Sequence, residues 1–330
     1  MAPSAFLGTA GYSPAAVAAI RGATVASGER VLRAAENMGV VPIFPGDTTY
    51  PPMLMKIPDP PRLLFAFGDI SLAGRQAVAV VGSRRHTDYG VHACRAVVDA
   101  AVSAGAVVVS GMARGIDAHA HNRALDDGGA TIGVLGNGIG HIYPAANRAL
   151  YERVARHGLL LTEMPPGERP RIYTFPHRNR LIAGLATVTV VVEGAHTSGS
   201  LITATAALDA GREVLAVPGP ITAETSEGTN GLIRDGSAPF LTGDDLWCRL
   251  PGASALASRE ARAELPLRRV PEGLSDVERR IAQVLLEGEQ DVDLIARDTE
   301  LDTGLVLCEL LSLELRSVVE SLPGRRYRLR

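Results

Sequence analysis

Between Gln76 and Gly219 the chain alternates short, β-branched apolar runs with longer stretches whose apolar residues recur at helical spacing. AVAVVG (Ala77 to Gly82) reads as a buried strand, Tyr89 to Ala104 as a helix and AVVVSG (Ala106 to Gly111) as the next strand. A helix from Gly115 to Asp127, a strand from Thr131 to Gly136, a helix from Ala146 to His157 and a strand from Gly158 to Glu163 continue the series. It closes with a strand from Ala186 to Val192, a helix from Ser198 to Ala210 and a strand from Glu213 to Gly219. Strands alternating with amphipathic helices predict an α/β fold, a parallel sheet with helices on both faces and ligands at the carboxyl ends of the strands. Three of those ends are glycines, Gly82, Gly111 and Gly136, where another group can approach the backbone closely.

The flanks follow other patterns. Residues 13 to 39 carry helical signals, with Ser13 and Pro14 as a start and Gly39 as a stop. VVPIFPGDTTYPPMLMKIPDPP then reads as an extended connector without a core of its own, so residues 1–60 are expected to form a small helical attachment to an α/β domain spanning 61–250. Residues 251–273, rich in small, charged and proline residues, read as a linker. Residues 274–330 supply three amphipathic helices, marked by Leu274, Ile281, Val284 and Leu285, by Val292, Leu294 and Ile295, and by Leu305 to Leu315. Two strands, Val318 to Leu322 and Tyr327 to Leu329, flank a Pro323-Gly324 turn, which completes a winged-helix pattern. In that fold the third helix ordinarily enters the major groove of duplex DNA. Here it carries Glu309 and Glu314 against Arg316 alone, so a protein contact is expected, and Arg325, Arg326, Arg328 and Arg330 make the wing the only basic part.

Composition narrows the function classes. The 330 residues are 46% hydrophobic and 21% charged, which suits a globular chain with about two domains. A formal net charge of −3 offers no general attraction to polyanions, so any such binding needs a local basic patch. Lys56 is the only lysine and lies in LMKIP, outside any glycine loop, which excludes a Walker A ATPase. Cys94, Cys248 and Cys308 are widely spaced, with no CxxC, and imply a reducing cytoplasm with neither a disulfide framework nor a zinc site. No apolar run approaches the ~20 residues of a spanning helix, and the first residues lack a signal-peptide pattern, so no membrane partner is expected.

The stretch from Phe175 to Gly211 carries the clearest chemistry. A helix opening with Ser198, Gly199 and Ser200 presents free backbone N–H groups, little side-chain bulk and the positive end of the helix dipole, together an anion site. Arg178 and Arg180 fall in a polar break just upstream, where both guanidinium groups are expected to reach the same crevice and select a phosphate. The turn after the first strand, GSRRHTDYG, adds Ser83 and Arg84. Neither it nor GNGIGH at Gly136 to His141 has the dinucleotide fingerprint, so no NAD or other cofactor is expected. Within DAHAH, Asp117 and His121 are i,i+4 neighbours and suggest a structural pair rather than a metal site. Glu163 and Glu193, both at strand ends, could form a catalytic acid/base pair, a reading opposed by their repulsion of a phosphate ligand.

Gly82-Ser83-Arg84 with Tyr89-Gly90, SGMARGIDAHAH, GVLGNGIGHIYPAANRALY, LTEMPPG, FPHRNRLIAG, VVVEGAHTSGSLITA and VPGP…GTNGLIRDG together resemble the DNA-processing protein A (DprA/Smf) family, in the same order from about Pro45 to Leu246. The resemblance implies an extended Rossmann-like fold that binds single-stranded DNA, acts as a homodimer and loads RecA recombinase during transformation, without enzymatic activity. It places the pocket on Arg84, on Arg178 or Arg180 of the FPxRNR segment, and on Ser198, Gly199 and Ser200; Asn179, between the two arginines, is counted with the expected site. The apolar segment Ala238 to Leu246, with Trp247 behind it, is the expected self-association contact. The competing reading is an enzyme resembling the cytokinin-activating phosphoribohydrolases, which cleave nucleoside monophosphates, but their PGGxGT loop is replaced here by AHTSGSLITA. A transcriptional regulator acting through the winged helix is a third.

Overall fold

A computed structural model describes residues 22–251, 274–285, 290–299, 301–316, 318–322 and 325–329, leaving the expected start at Ser13, most of the linker and the Pro323-Gly324 turn outside the described residues. The chain divides into two compact units, Met1–Ala257 and Ser258–Arg330.

The larger unit is built on a nine-stranded sheet in the order β1-β2-β6-β5-β4-β3-β7-β8-β9. Its parallel centre consists of β3 (Ala77–Val81), β4 (Val107–Ser110), β5 (Thr131–Val134), β6 (Leu159–Thr162), β7 (Val188–Val191), β8 (Glu213–Ala216) and β9 (Ala238–Pro239). Because β3 is buried on both faces, its side chains feed two cores. Ala77, Ala79 and Val81 join Leu181 and Ile182 of helix α5 (Thr174–Leu185) and Ala204 and Ala207 of α6 (Gly199–Asp209). On the other face, Val78 and Val80 join Cys94 and Val97 of α2 (Asp88–Ser103) and Ile116 and Ala120 of α3 (Ile116–Asp126). Successive strands run outward from β3 to β6 on one side, and the chain then returns to lay β7 on the other. That reversal opens a crevice at the carboxyl ends of β3 and β7, where α/β sheets bind ligands.

Two sequence expectations change. The segment read as a connector contains β1 (Val41–Ile43), which pairs antiparallel with β2 (Leu64–Gly68), itself antiparallel to β6. Tyr50, Leu54 and Ile57 are buried in the main core, so residues 40–60 help build the α/β unit, and among the described residues before them α1 (Val25–Asn37) is the helical piece. The second change concerns Ala238 to Leu246. Phe240 and Leu246 are buried in the unit's own core, and Trp247 packs on them while its Nε1 donates to Ala100 O at 2.8 Å. Leu241 is the large apolar side chain of this segment left exposed, so the expected self-association contact is mostly spent internally.

Helices α4 (Arg148–His157), α7 (Glu227–Arg234) and α8 (Gly243–Trp247) complete the larger unit. The smaller one contains α9 (Asp276–Leu285), α10 (Val292–Thr299) and α11 (Thr303–Leu315), with β11 (Val319–Leu322) and β12 (Arg326–Leu329) forming the wing and β10 (Gln290–Asp291) pairing onto β12. Ser275 and Glu278 cap α9 reciprocally, at 2.8 and 3.1 Å. The bond from Ser275 N–H, opposed by burial and reinforced by Arg316, holds the Glu278 carboxyl below the usual range. Ile281, Leu285, Ile295, Val306, Leu310 and Leu313 form its core.

Candidate functional site

The crevice is a cleft of about 660 Å³ between the loop after β3 and the start of α6. Loop residues Gly82 to Arg85 are held against α3: Ile116 N donates to Ser83 O, and Gly115, at φ +80°, lets the helix start come close enough to do so. A Cβ on Gly115 would stand 2.3 Å from Ser83 O. Arg84 is thereby kept exposed at the cleft, with Arg85 beside it.

On the opposite wall, Ser198 caps α6 in extended geometry, its Oγ accepting from Ser200 N at 3.3 Å and bonding Ser200 Oγ at 2.7 Å. A Cβ on Gly199 would meet nothing within 4 Å, so the first turn opens directly onto the cleft. Asn179 Nδ2 donates to Gly199 O at 3.2 Å and ties α5 to this turn.

Arg178 forms the floor. It is buried, and its Nη1 donates to Gly111 O at 2.6 Å and to Val134 O, the ends of β4 and β5. Burial pushes the guanidinium down to about 10, opposed by the nearby Asp117 carboxylate, so it remains a cation at neutral pH. Asp117 in turn accepts from Gly111 N and Ala113 N at 3.1 and 3.4 Å; burial raises its pKa, against the pull of Arg178 and those two bonds. Gly111 and Gly136 act by making room. A side chain on the first would meet Arg178 and Asp117 at 2.7 Å, and one on the second would meet Phe175 at 2.7 Å. Phe175 packs against Tyr143, ring centroids 5.3 Å apart, and both line the cleft.

Arg180 is not there. Helix α5 places residues two apart about 200° around its axis, so Arg180 leaves on the other side. Its Nη2 bonds both oxygens of Glu163 at 2.6 and 2.7 Å, and Nη1 donates to Asp59 O at 2.8 Å. The shared crevice expected for Arg178 and Arg180 presupposed an irregular segment. Of the residues singled out from sequence, Gly82, Ser83, Arg84, Arg178, Asn179, Ser198, Gly199 and Ser200 line one cleft; Gly111 and Gly136 lie behind it, and Arg180 outside. Arg85, Tyr143, Phe175 and Asp117 were missed as cleft residues. Arg85 had a signal, adjacency to Arg84, whereas Tyr143 and Phe175 meet only through the fold.

The carboxylate pair is also explained. Glu163 is engaged by Arg180, and the buried Glu193 accepts from Thr87 N at 2.9 Å and Thr87 Oγ1 at 2.6 Å, holding the start of α2. Neither lines the cleft, whose carboxylates are Asp117 and Glu224. Asp117 and His121 have separate partners: His121 Nδ1 is 2.7 Å from Thr131 Oγ1. Among the described residues no cluster of three potential ligands could hold a metal ion, and no helix is long and apolar enough to cross a membrane.

Fold and site together define a Rossmann-like α/β protein with a cationic, helix-capped cleft at its switch point, joined to a winged-helix domain. Residues 42–251 match the family described as DNA recombination-mediator protein A, and residues 266–325 match the DprA winged helix domain. The chain belongs to this family. It is 35% identical over 317 residues to Protein Smf of Synechocystis sp., covering 87% of this chain and 80% of that protein. The X-ray structure of DNA processing protein A from Streptococcus pneumoniae aligns with a TM-score of 0.62 at 40% identity, over 64% of this chain and 74% of that one. A Helicobacter pylori DNA processing protein A structure, described for its single-stranded DNA binding mode, aligns with a TM-score of 0.58 at 26% identity, over 67% and 96% of the two chains.

Proposed function

We propose that the chain binds single-stranded DNA in the cleft between β3 and β7 without catalysing a reaction on it, and presents the strand to RecA recombinase in natural transformation. The observation that carries this reading is the convergence of Arg84, Arg85 and Arg178 with the open start of α6 on one wall system. Guanidinium groups and helix N–H groups bind phosphates without regard to base. Tyr143 and Phe175 add the aromatic faces on which unpaired bases stack. The relatives support the DNA ligand, and family membership supports the recombinase partner, a cytoplasmic setting and a homodimeric working form. The absence of catalysis is supported by Glu163 and Glu193, which are committed to Arg180 and Thr87.

Labelled single strands, duplex and mononucleotides titrated against the pure protein test the reading. Single strands should bind best, ATP and nucleoside monophosphates should be recovered unchanged, and RecA should assemble faster on strands carrying the protein. Preference for duplex, or release of base or phosphate that disappears in Glu163→Gln or Glu193→Gln, would overturn it.

A further inference from the structure

The winged-helix unit presents a surface outside the cleft proposed for the strand. Helix α11 buries Val306, Leu310 and Leu313 on one side. Its outer side is Gly304, Leu305, Cys308, Leu311 and Leu315, all exposed, with Leu311 and Leu315 at 57% and 80%. At about 100° per residue these positions form one stripe about 120° wide, with the half-buried Ser312 hydroxyl between Leu305 and Cys308 turned to Glu278 in its own copy. No charged residue and no amide side chain lies on it, so the helix that would enter a major groove lacks the side chains that read purine edges bidentately.

We propose that this stripe docks against the same stripe of a second copy of the chain, the two α11 helices running antiparallel about a two-fold axis. The residue sizes are graded along it. Gly304 and Cys308 lie toward the start, Leu311 and Leu315 toward the end. An antiparallel register sets Leu315 over the second copy's Gly304 and Leu311 over its Cys308, so that large side chains fill the space left by small ones. A parallel register would stack leucine on leucine and leave the glycines facing a gap.

The charges at the helix ends select the same register. Asp302, the N-cap of α11, and Arg316, its C-cap, flank the stripe on one side. Antiparallel pairing sets each Asp302 beside the second copy's Arg316, twice, as an isologous contact requires. Arg316 is held in its own copy by Glu278 at 2.8 Å, yet its side chain remains 45% exposed. Glu309, midway along the same edge, meets its counterpart near the axis and opposes the pairing. The docking is therefore concentration-dependent rather than permanent.

The test uses the full chain carrying Cys248→Ser, which leaves Cys308 as the exposed cysteine beside the buried Cys94. A short bis-maleimide should link two copies through Cys308. Leu311→Lys with Leu315→Lys, both at exposed positions, should leave the circular dichroism unchanged and weaken the pairing by about tenfold or more. Glu309→Gln should raise the yield of linked dimer. No Cys308 link in a chain shown to be folded overturns the proposal, whether or not the α/β unit self-associates. So does linkage that survives the double lysine change, or protection of Cys308 by duplex DNA, which would make α11 a nucleic-acid reader.

Discussion

Arg178 and Arg180 sit two residues apart and do different work. Removing the first would take the cation from beside buried Asp117 and untie the ends of β4 and β5, so loss of binding in Arg178→Ala cannot be separated from damage to the fold. Arg180→Ala should act on stability alone, because it takes the guanidinium from the mostly buried Glu163 and leaves it only His177, at 3.5 Å. We expect a cost at or below the lower end of the range for a broken buried pair, about 3 kcal/mol, because the pair is partly exposed and His177 remains; it is read as a lower urea midpoint, with single-strand affinity unchanged in the protein that remains folded. His121 gives a pH signature. Thr131 Oγ1 donates to Val108 O, so His121 Nδ1 donates to Thr131 and the imidazole is neutral, its pKa pushed down to about 3 by burial and by Arg178. Below about pH 6.5 the unfolded chain takes up a proton at this position and the folded chain does not. Stability should fall by up to about 1.4 kcal/mol per pH unit until the folded imidazole itself titrates. Urea midpoints compared at pH 7 and pH 5, with His121→Gln as reference, measure it; equal pH dependence in the two proteins would contradict the assignment.

At the scale of elements, the start of α6 is the part of the site most open to ligand. The space over Gly199 is empty of protein atoms, so Gly199→Ala should leave thermal stability the same or slightly raised, since alanine is the better helix former. The added methyl should weaken single-strand binding, and full affinity in this variant would mean that the strand passes elsewhere. This turn was legible in sequence because its signals are local: a buried valine strand, small capping residues, then a helix. Helix α5 was not legible. Pro176 and Gly184 lie within it, and both ordinarily mark breaks. Pro176 occupies the first turn, where its missing N–H is not needed, and Gly184 lies against Ile57 and Leu54, where a Cβ would come within 2.7 Å of Ile57. That tertiary packing, invisible locally, makes the segment a helix and turns Arg180 away from the cleft. Strands β1 and β2 escaped for a related reason. They join the sheet at its edge by antiparallel pairing, beyond the reach of the βα alternation that revealed the rest.

For the whole molecule, a net charge of −3 offers no general attraction to a polyanion, so on the proposed reading strand binding depends on the cleft. The cleft lies entirely in the larger unit, so a chain ending near Pro251 should keep most single-strand affinity in an anisotropy titration. Loss of nearly all binding would assign the strand to the winged helix and its basic wing. The most direct measurement of the central claim is the salt dependence of single-strand affinity in three folded proteins: the parent, Arg84→Ala and Arg180→Ala. Each phosphate contact on a single strand contributes about −0.7 to the slope of log affinity against log salt. Arg84→Ala should flatten the slope by about that amount, and Arg180→Ala should leave it unchanged. An unaltered slope in Arg84→Ala, or a flattened one in Arg180→Ala, would contradict the assignment of the strand to this cleft.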